Sequence, residues 1–107
     1  MDLEIKLGDL LVQDADILDE HKNRDAERTY SNAHKVLDDI VNVLPKPLPY
    51  QFRILVTKAS RRSASALPGG ILLVDRDLFD KDADPDHTYF VIGHEVAHVL
   101  QRHQTRA

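Results

Sequence analysis

An α+β fold is predicted for this chain, with N-terminal helices packed on a small β-sheet of about two to three strands and a further helix at the C-terminus. Three observations predict it. Apolar residues recur at steps of three and four as far as Leu44, they alternate at every second position from Tyr50, and Asp84-Pro85-Asp86 opens a last helical run.

The first stretch places Leu3, Leu7, Leu10, Leu11, Ile17 and Leu18 at helical spacing with acids between them, which reads as an amphipathic helix or two. A polar break over residues 20–24 leads into a second pattern, Ala26, Tyr30, Ala33, Leu37, Ile40, Val41 and Leu44, whose steps put one apolar face inward. Pro45 ends it, and Pro45, Pro47 and Pro49 make the connector stiff because proline donates neither helix nor ladder bonds. From there Tyr50, Phe52, Ile54 and Val56 alternate with Gln51, Arg53, Leu55 and Thr57, the period of a half-buried strand. Residues 58–67 are small and polar. Pro68-Gly69-Gly70 forces a turn into the apolar run Ile71 to Val74, expected as a strand paired beside the first, and a short helical turn is expected near Leu78. In the last element Asp84 caps, Pro85 suits the first helical position and Asp86 complements the dipole. Ile92, Val96, Val99 and Leu100 supply its core face, and Gly93 with Ala97 leaves room for a close neighbour.

At 107 residues and 42% apolar content the chain suffices for one domain with a modest two-layer core. Its net charge of -4 comes from interspersed acids and bases, which indicates neither a nucleic-acid surface nor a membrane-attracting patch. The absence of cysteine excludes disulfide scaffolds and thiolate metal sites, so any metal here must be held by histidine, aspartate or glutamate. No run approaches the roughly 20 apolar residues of a membrane span. The N-terminus also lacks the order of a signal peptide, so the chain reads as soluble as given, with cytoplasm and periplasm both open.

The chemistry concentrates in His94-Glu95-Val96-Ala97-His98. Helix positions four apart differ by about 40° of rotation, so His94 and His98 project side by side and can offer two imidazole nitrogens to one tetrahedral metal. Glu95 is offset from that pair, too far round to ligate, yet near enough to act on a water that the metal activates. Zinc would polarise a carbonyl and bring water toward neutral pKa, leaving Glu95 to take the proton and pass it to a leaving amine. The plain alternative is a surface helix that happens to carry two histidines and a glutamate.

The run Ser65 to Val74 (S-A-L-P-G-G-I-L-L-V), then Asp86, then Val91 to His103 (V-I-G-H-E-V-A-H-V-L-Q-R-H) together resemble the gluzincin zinc metallopeptidases that include HtpX, BepA and the CAAX prenyl endopeptidases. The similarity is clear from Tyr50 onward. It implies a zinc-dependent endopeptidase acting on peptide or unfolded protein substrates, with Glu95 catalytic and His94 and His98 as ligands of one zinc ion. It also implies that the ALPGG-type turn leads into an edge strand bordering the cleft, assigning Gly69, Gly70, Ile71 and Leu72 to a substrate-binding rim. A tight turn between two core strands explains those glycines as well. On this resemblance residues 1–107 read as the N-terminal portion of a zincin-type metallopeptidase domain, helical over 1–44, sheet over 50–75, with the active-site helix over 84–106.

Three departures stand out. Ser63 replaces an asparagine often found before the turn, and Asp77 replaces a glycine usual after the strand. Relatives also take a third zinc ligand, a glutamate, from a helix well downstream, whereas Val99 to Ala107 contain none. The expectation is therefore a portion of a longer peptidase, weakly active or inactive as it stands. A non-catalytic or latent zincin-like binding or regulatory module is the alternative, completed in one version by self-association.

The remaining candidates have blander readings. His103 lies about 140° around the helix from His98, His87 sits nearly two turns from His94, and His21 and His34 belong to polar helix faces. Asp14, Asp16, Asp19 and Glu20 lack the spacing of a calcium loop, and Arg61 and Arg62 read as solubilising rather than as contacts for substrate carboxylates.

Overall fold

The computed structural model of the protein describes residues 16–106, with side chains through Arg102. Its architecture is α+β. Helix α1 (Arg24–Asn42) is followed by strands β1 (Arg53–Thr57), β2 (Ala64–Leu67) and β3 (Ile71–Asp75), a 3-10 turn (Arg76–Phe79) and helix α2 (Pro85–Arg106).

Helix α1 begins where Asn23, in extended backbone, accepts a hydrogen bond from the Ala26 N–H at 2.8 Å. It closes at Val43, just short of Pro45. Of the expected inward residues Ala26, Tyr30, Ala33 and Leu37 are buried, joined by Thr29 and Val36, while Ile40, Val41 and Leu44 are half-buried against the same core. Helix α2 starts as its sequence predicts: the Asp84 carboxylate accepts from the Asp86 N–H and its carbonyl from the Thr88 N–H. The Thr88 hydroxyl then donates to the Leu78 carbonyl at 2.6 Å, tying the helix to the 3-10 turn.

The sheet has the order β1-β3-β2, with β1 parallel to β3 and β2 antiparallel to it. Register puts Ile54 beside Leu72 and Ala66, and Val56 beside Val74 and Ala64, so one face is apolar across all three strands. Both helices pack on that face: α1 lies against β1 and α2 against β2 and β3, enclosing Ile92 and Val96 with Tyr30, Val36 and Leu37. Such a layer of helices over one sheet face is the simplest way to bury a single core in a chain this short.

Three expectations are corrected here. Ile17 and Leu18 are not helical: Ile17 bridges Thr57 in antiparallel sense, the Leu18 N–H donates to the Val56 carbonyl and the Lys58 N–H to the Asp16 carbonyl. The unpaired edge of β1 offers bonds that outweigh the local helical spacing; Leu3, Leu7, Leu10 and Leu11 lie outside the described residues. The small polar stretch before the turn holds a strand, Ala64–Leu67, which its low β-propensity hides. Finally, the strand after the turn is central and not an edge, because β2 folds back onto its free side. Ile71 and Leu72 are 1% and 0% exposed. The rim role read for them through an edge strand is therefore not available, and among the described residues the open edge belongs to β2.

The turn itself explains its glycines. Gly69 and Gly70 both have positive φ, 88° and 84°. A Cβ on Gly70 would also stand 2.9 Å from the Tyr50 Cβ. Gly70→Ala is expected to destabilise the fold by about 2–3 kcal/mol, from left-handed strain plus the clash, and Gly69→Ala by less, measured by chemical denaturation.

Candidate metal centre

Helix α2 turns Ile92, Val96 and Val99 into the core and leaves His94, Ala97 and His98 exposed on its outer side, with Glu95 half-buried. The room expected beside Gly93 and Ala97 is only partly used. Ile40 of α1 reaches to 3.9 Å of where a Gly93 Cβ would stand, an ordinary contact, and Ala97 is open.

The structure brings the two histidines together as the spacing predicts. Their Nε2 atoms are 3.0 Å apart and their ring centroids 4.4 Å apart. Two zinc–nitrogen bonds of about 2.0–2.1 Å at a tetrahedral angle place their nitrogens about 3.3 Å apart, so the pair fits one such ion with an adjustment of a few tenths of an ångström. Among the described residues no third His, Asp or Glu joins them. His87, His21 and His34 stand elsewhere on exposed positions, His34 lying against the Tyr30 ring, and the His103 side chain is outside the described residues.

A polar latch sets the rotation of α2. The Tyr89 hydroxyl donates to the Asp39 carboxylate on α1, which also receives the Lys35 ammonium at 2.8 Å. Those hydrogen bonds, from Lys35 first and Tyr89 second, hold the Asp39 carboxyl below its ordinary range.

The open edge is anchored from beneath. Asp75, 3% exposed at the end of β3, accepts from the Thr57 hydroxyl, the Arg61 and Ser63 N–H groups and the Ser63 hydroxyl. Burial pushes its pKa up, but these donors outweigh it and hold the carboxyl below its ordinary value. Arg62, at φ 51°, is held by its N–H donating to Asp77, so the unusual Asp77 serves the loop that enters β2. Arg61 and Arg62 direct their guanidinium groups to Asp75, Asp77 and Asp82.

The Asp75 N–H donates to the Ser63 carbonyl, and in an antiparallel pair hydrogen-bonded positions alternate. Ser65 and Leu67 therefore bond inward to β3, while the N–H and C=O groups of Ala64 and Ala66 point out along an edge that no other described strand covers.

Sequence reasoning missed two residues at this site. Asp75 gave no signal beyond ending an apolar run. Phe90 did: it lies four positions before His94 on the same helix stripe, where the period calls for a polar residue, and it is 71% exposed with its ring stacked on that imidazole.

No curated protein matches this chain. The model of peptidase family M48 matches residues 27–107, a span that takes in most of α1, all three strands, α2 and the histidine pair. That match covers most of the sequence, and on it the chain belongs to peptidase family M48.

Proposed function

We propose that the chain carries the reacting centre of a zinc-dependent endopeptidase, with His94 and His98 as ligands of one zinc ion and Glu95 as general base. The observation that carries this reading is the 3.0 Å approach of the two Nε2 atoms on the exposed face of α2. When bound, zinc supplies Lewis acidity toward a peptide carbonyl and a lowered pKa for water. Glu95 takes the proton of the attacking water and returns it to the amine nitrogen as the carbon–nitrogen bond breaks. The substrate is a peptide or unfolded segment in extended form, paired along β2 through the outward groups of Ala64 and Ala66. Gly69, half-buried at the end of that edge, lets the substrate backbone approach closely, while Gly70 is closed off by Tyr50 and serves the turn. The turn and the histidine spacing together support a place beside HtpX, BepA and the CAAX prenyl endopeptidases. On this reading the third ligand is a further carboxylate that is not among the described residues.

A second reading is favoured by the pair standing without a third ligand among the described residues: a latent, zincin-like regulatory module that completes its metal shell by self-association. One experiment separates the two. Zinc uptake, oligomer size and cleavage of an unfolded protein are measured with and without 1,10-phenanthroline. The enzyme reading expects cleavage that chelation abolishes and added zinc restores, with oligomer size unchanged. Metal-dependent association without cleavage supports the latent module, and cleavage indifferent to chelator would sink the zinc assignment. Among the described residues no helix is long and apolar enough to cross a membrane.

A further inference from the structure

Phe90 is the large apolar side chain most exposed on α2, and it stands one turn before His94. Its ring lies with its plane 18° from the His94 imidazole and its centroid 6.1 Å away, within the range of offset aromatic stacking. Histidines that hold metals are ordinarily oriented by a hydrogen bond from the second ring nitrogen to a carboxylate or carbonyl. Among the described residues neither the His94 nor the His98 imidazole makes a hydrogen bond except to the other. On an exposed helix face such an imidazole is free to change rotamer, and fixing it on metal binding costs entropy.

We infer that Phe90 is a positioning residue for the metal centre: its ring, stacked on His94, holds that imidazole with Nε2 turned toward His98 before any metal arrives. The inference rests on the reading of His94 and His98 as zinc ligands. It accounts for an aromatic kept at a solvent-facing position, where burial gives it little stabilisation. It also accounts for the order along one stripe, Phe90, His94 and His98, each four residues from the next. Helix geometry stacks the first pair and converges the second. Stacking energies of aromatic pairs correspond to roughly two- to twelvefold in an equilibrium constant.

Zinc is titrated into the full 107-residue chain against a competing chromophoric chelator, and the imidazole resonances of the metal-free protein are followed by NMR. Phe90→Ala is expected to weaken zinc binding by about three- to tenfold and to remove the ring-current displacement of the His94 ring protons. Its melting midpoint should not change, since the side chain is exposed. Phe90→Tyr and Phe90→Trp should retain both properties, whereas Phe90→Leu, apolar without a ring, should not. Undiminished zinc affinity in Phe90→Ala, or full rescue by leucine, overturns the inference. His94→Ala distinguishes the two levels of argument. Unaltered zinc uptake in His94→Ala removes the metal reading and this inference with it. Impaired uptake there, beside normal uptake in Phe90→Ala, removes the positioning role alone.

Discussion

Glu95→Gln should lower zinc-dependent peptide hydrolysis by about 10²- to 10⁴-fold, the contribution typical of a positioned general base, while zinc affinity and melting temperature stay at the parent values. The substitution keeps the shape of the side chain and removes only its basicity. Glu95 is half-buried beside the histidine pair, and the core face of α2 is built by Ile92, Val96 and Val99, so nothing in the packing depends on its charge. The measurement is kcat/KM on a fluorogenic peptide, with the parent protein's chelator-sensitive cleavage as reference. Retained cleavage would remove Glu95 from the chemistry; lost zinc binding would show that it acts on the ligands and not on water.

Asp75→Ala should cost about 2–4 kcal/mol of folding stability, because four donors around a buried carboxylate lose their acceptor at once. Those donors belong to β1 and to the loop entering β2, so the loss loosens the free edge first. The pH dependence has a definite sign. The folded-state pKa of Asp75 lies below its unfolded value, so its stabilisation is fully present above the ordinary carboxylate range and is lost as pH falls through the folded-state value. The gap in denaturant midpoint between parent and variant should therefore shrink as pH is lowered from about 6 toward about 2. A constant gap across that range would mean that the ionised form of Asp75 contributes nothing. Asp75→Asn should fall between the two, since its amide retains one acceptor oxygen but turns a donor toward N–H groups of the loop.

The elements that were legible in the sequence are those whose signals are local. The steps of three and four from Ala26 to Leu37 and the opening Asp84-Pro85-Asp86 each act within about one turn of chain, and the helices form where these residues require. The 3-10 turn at Leu78 and the β1 alternation are of the same kind. Ala64–Leu67 escaped notice because Ala-Ser-Ala-Leu carries little strand preference of its own, and becomes a strand through the turn that lays it against β3. Ile17 misled for the converse reason. Its helical spacing is genuine, but a neighbouring strand edge claimed its backbone.

The same division holds at the site. The sequence alone determined the histidine pair, because four residues of helix bring two imidazoles together whatever surrounds them, and the 3.0 Å between their nitrogens follows from that. It also determined the turn, since positive φ at consecutive positions calls for glycine. Only the tertiary structure decided which strand remains open. Strand order depends on pairings between residues far apart in the chain, and β2 returning onto β3 moved Ile71 and Leu72 from an expected rim into the interior. The inward face of α2 was written in its own spacing, Ile92, Val96 and Val99 being buried; the tertiary structure decided what meets that helix, the sheet beneath it and Asp39 of α1 beside it, because those groups lie far off in the chain.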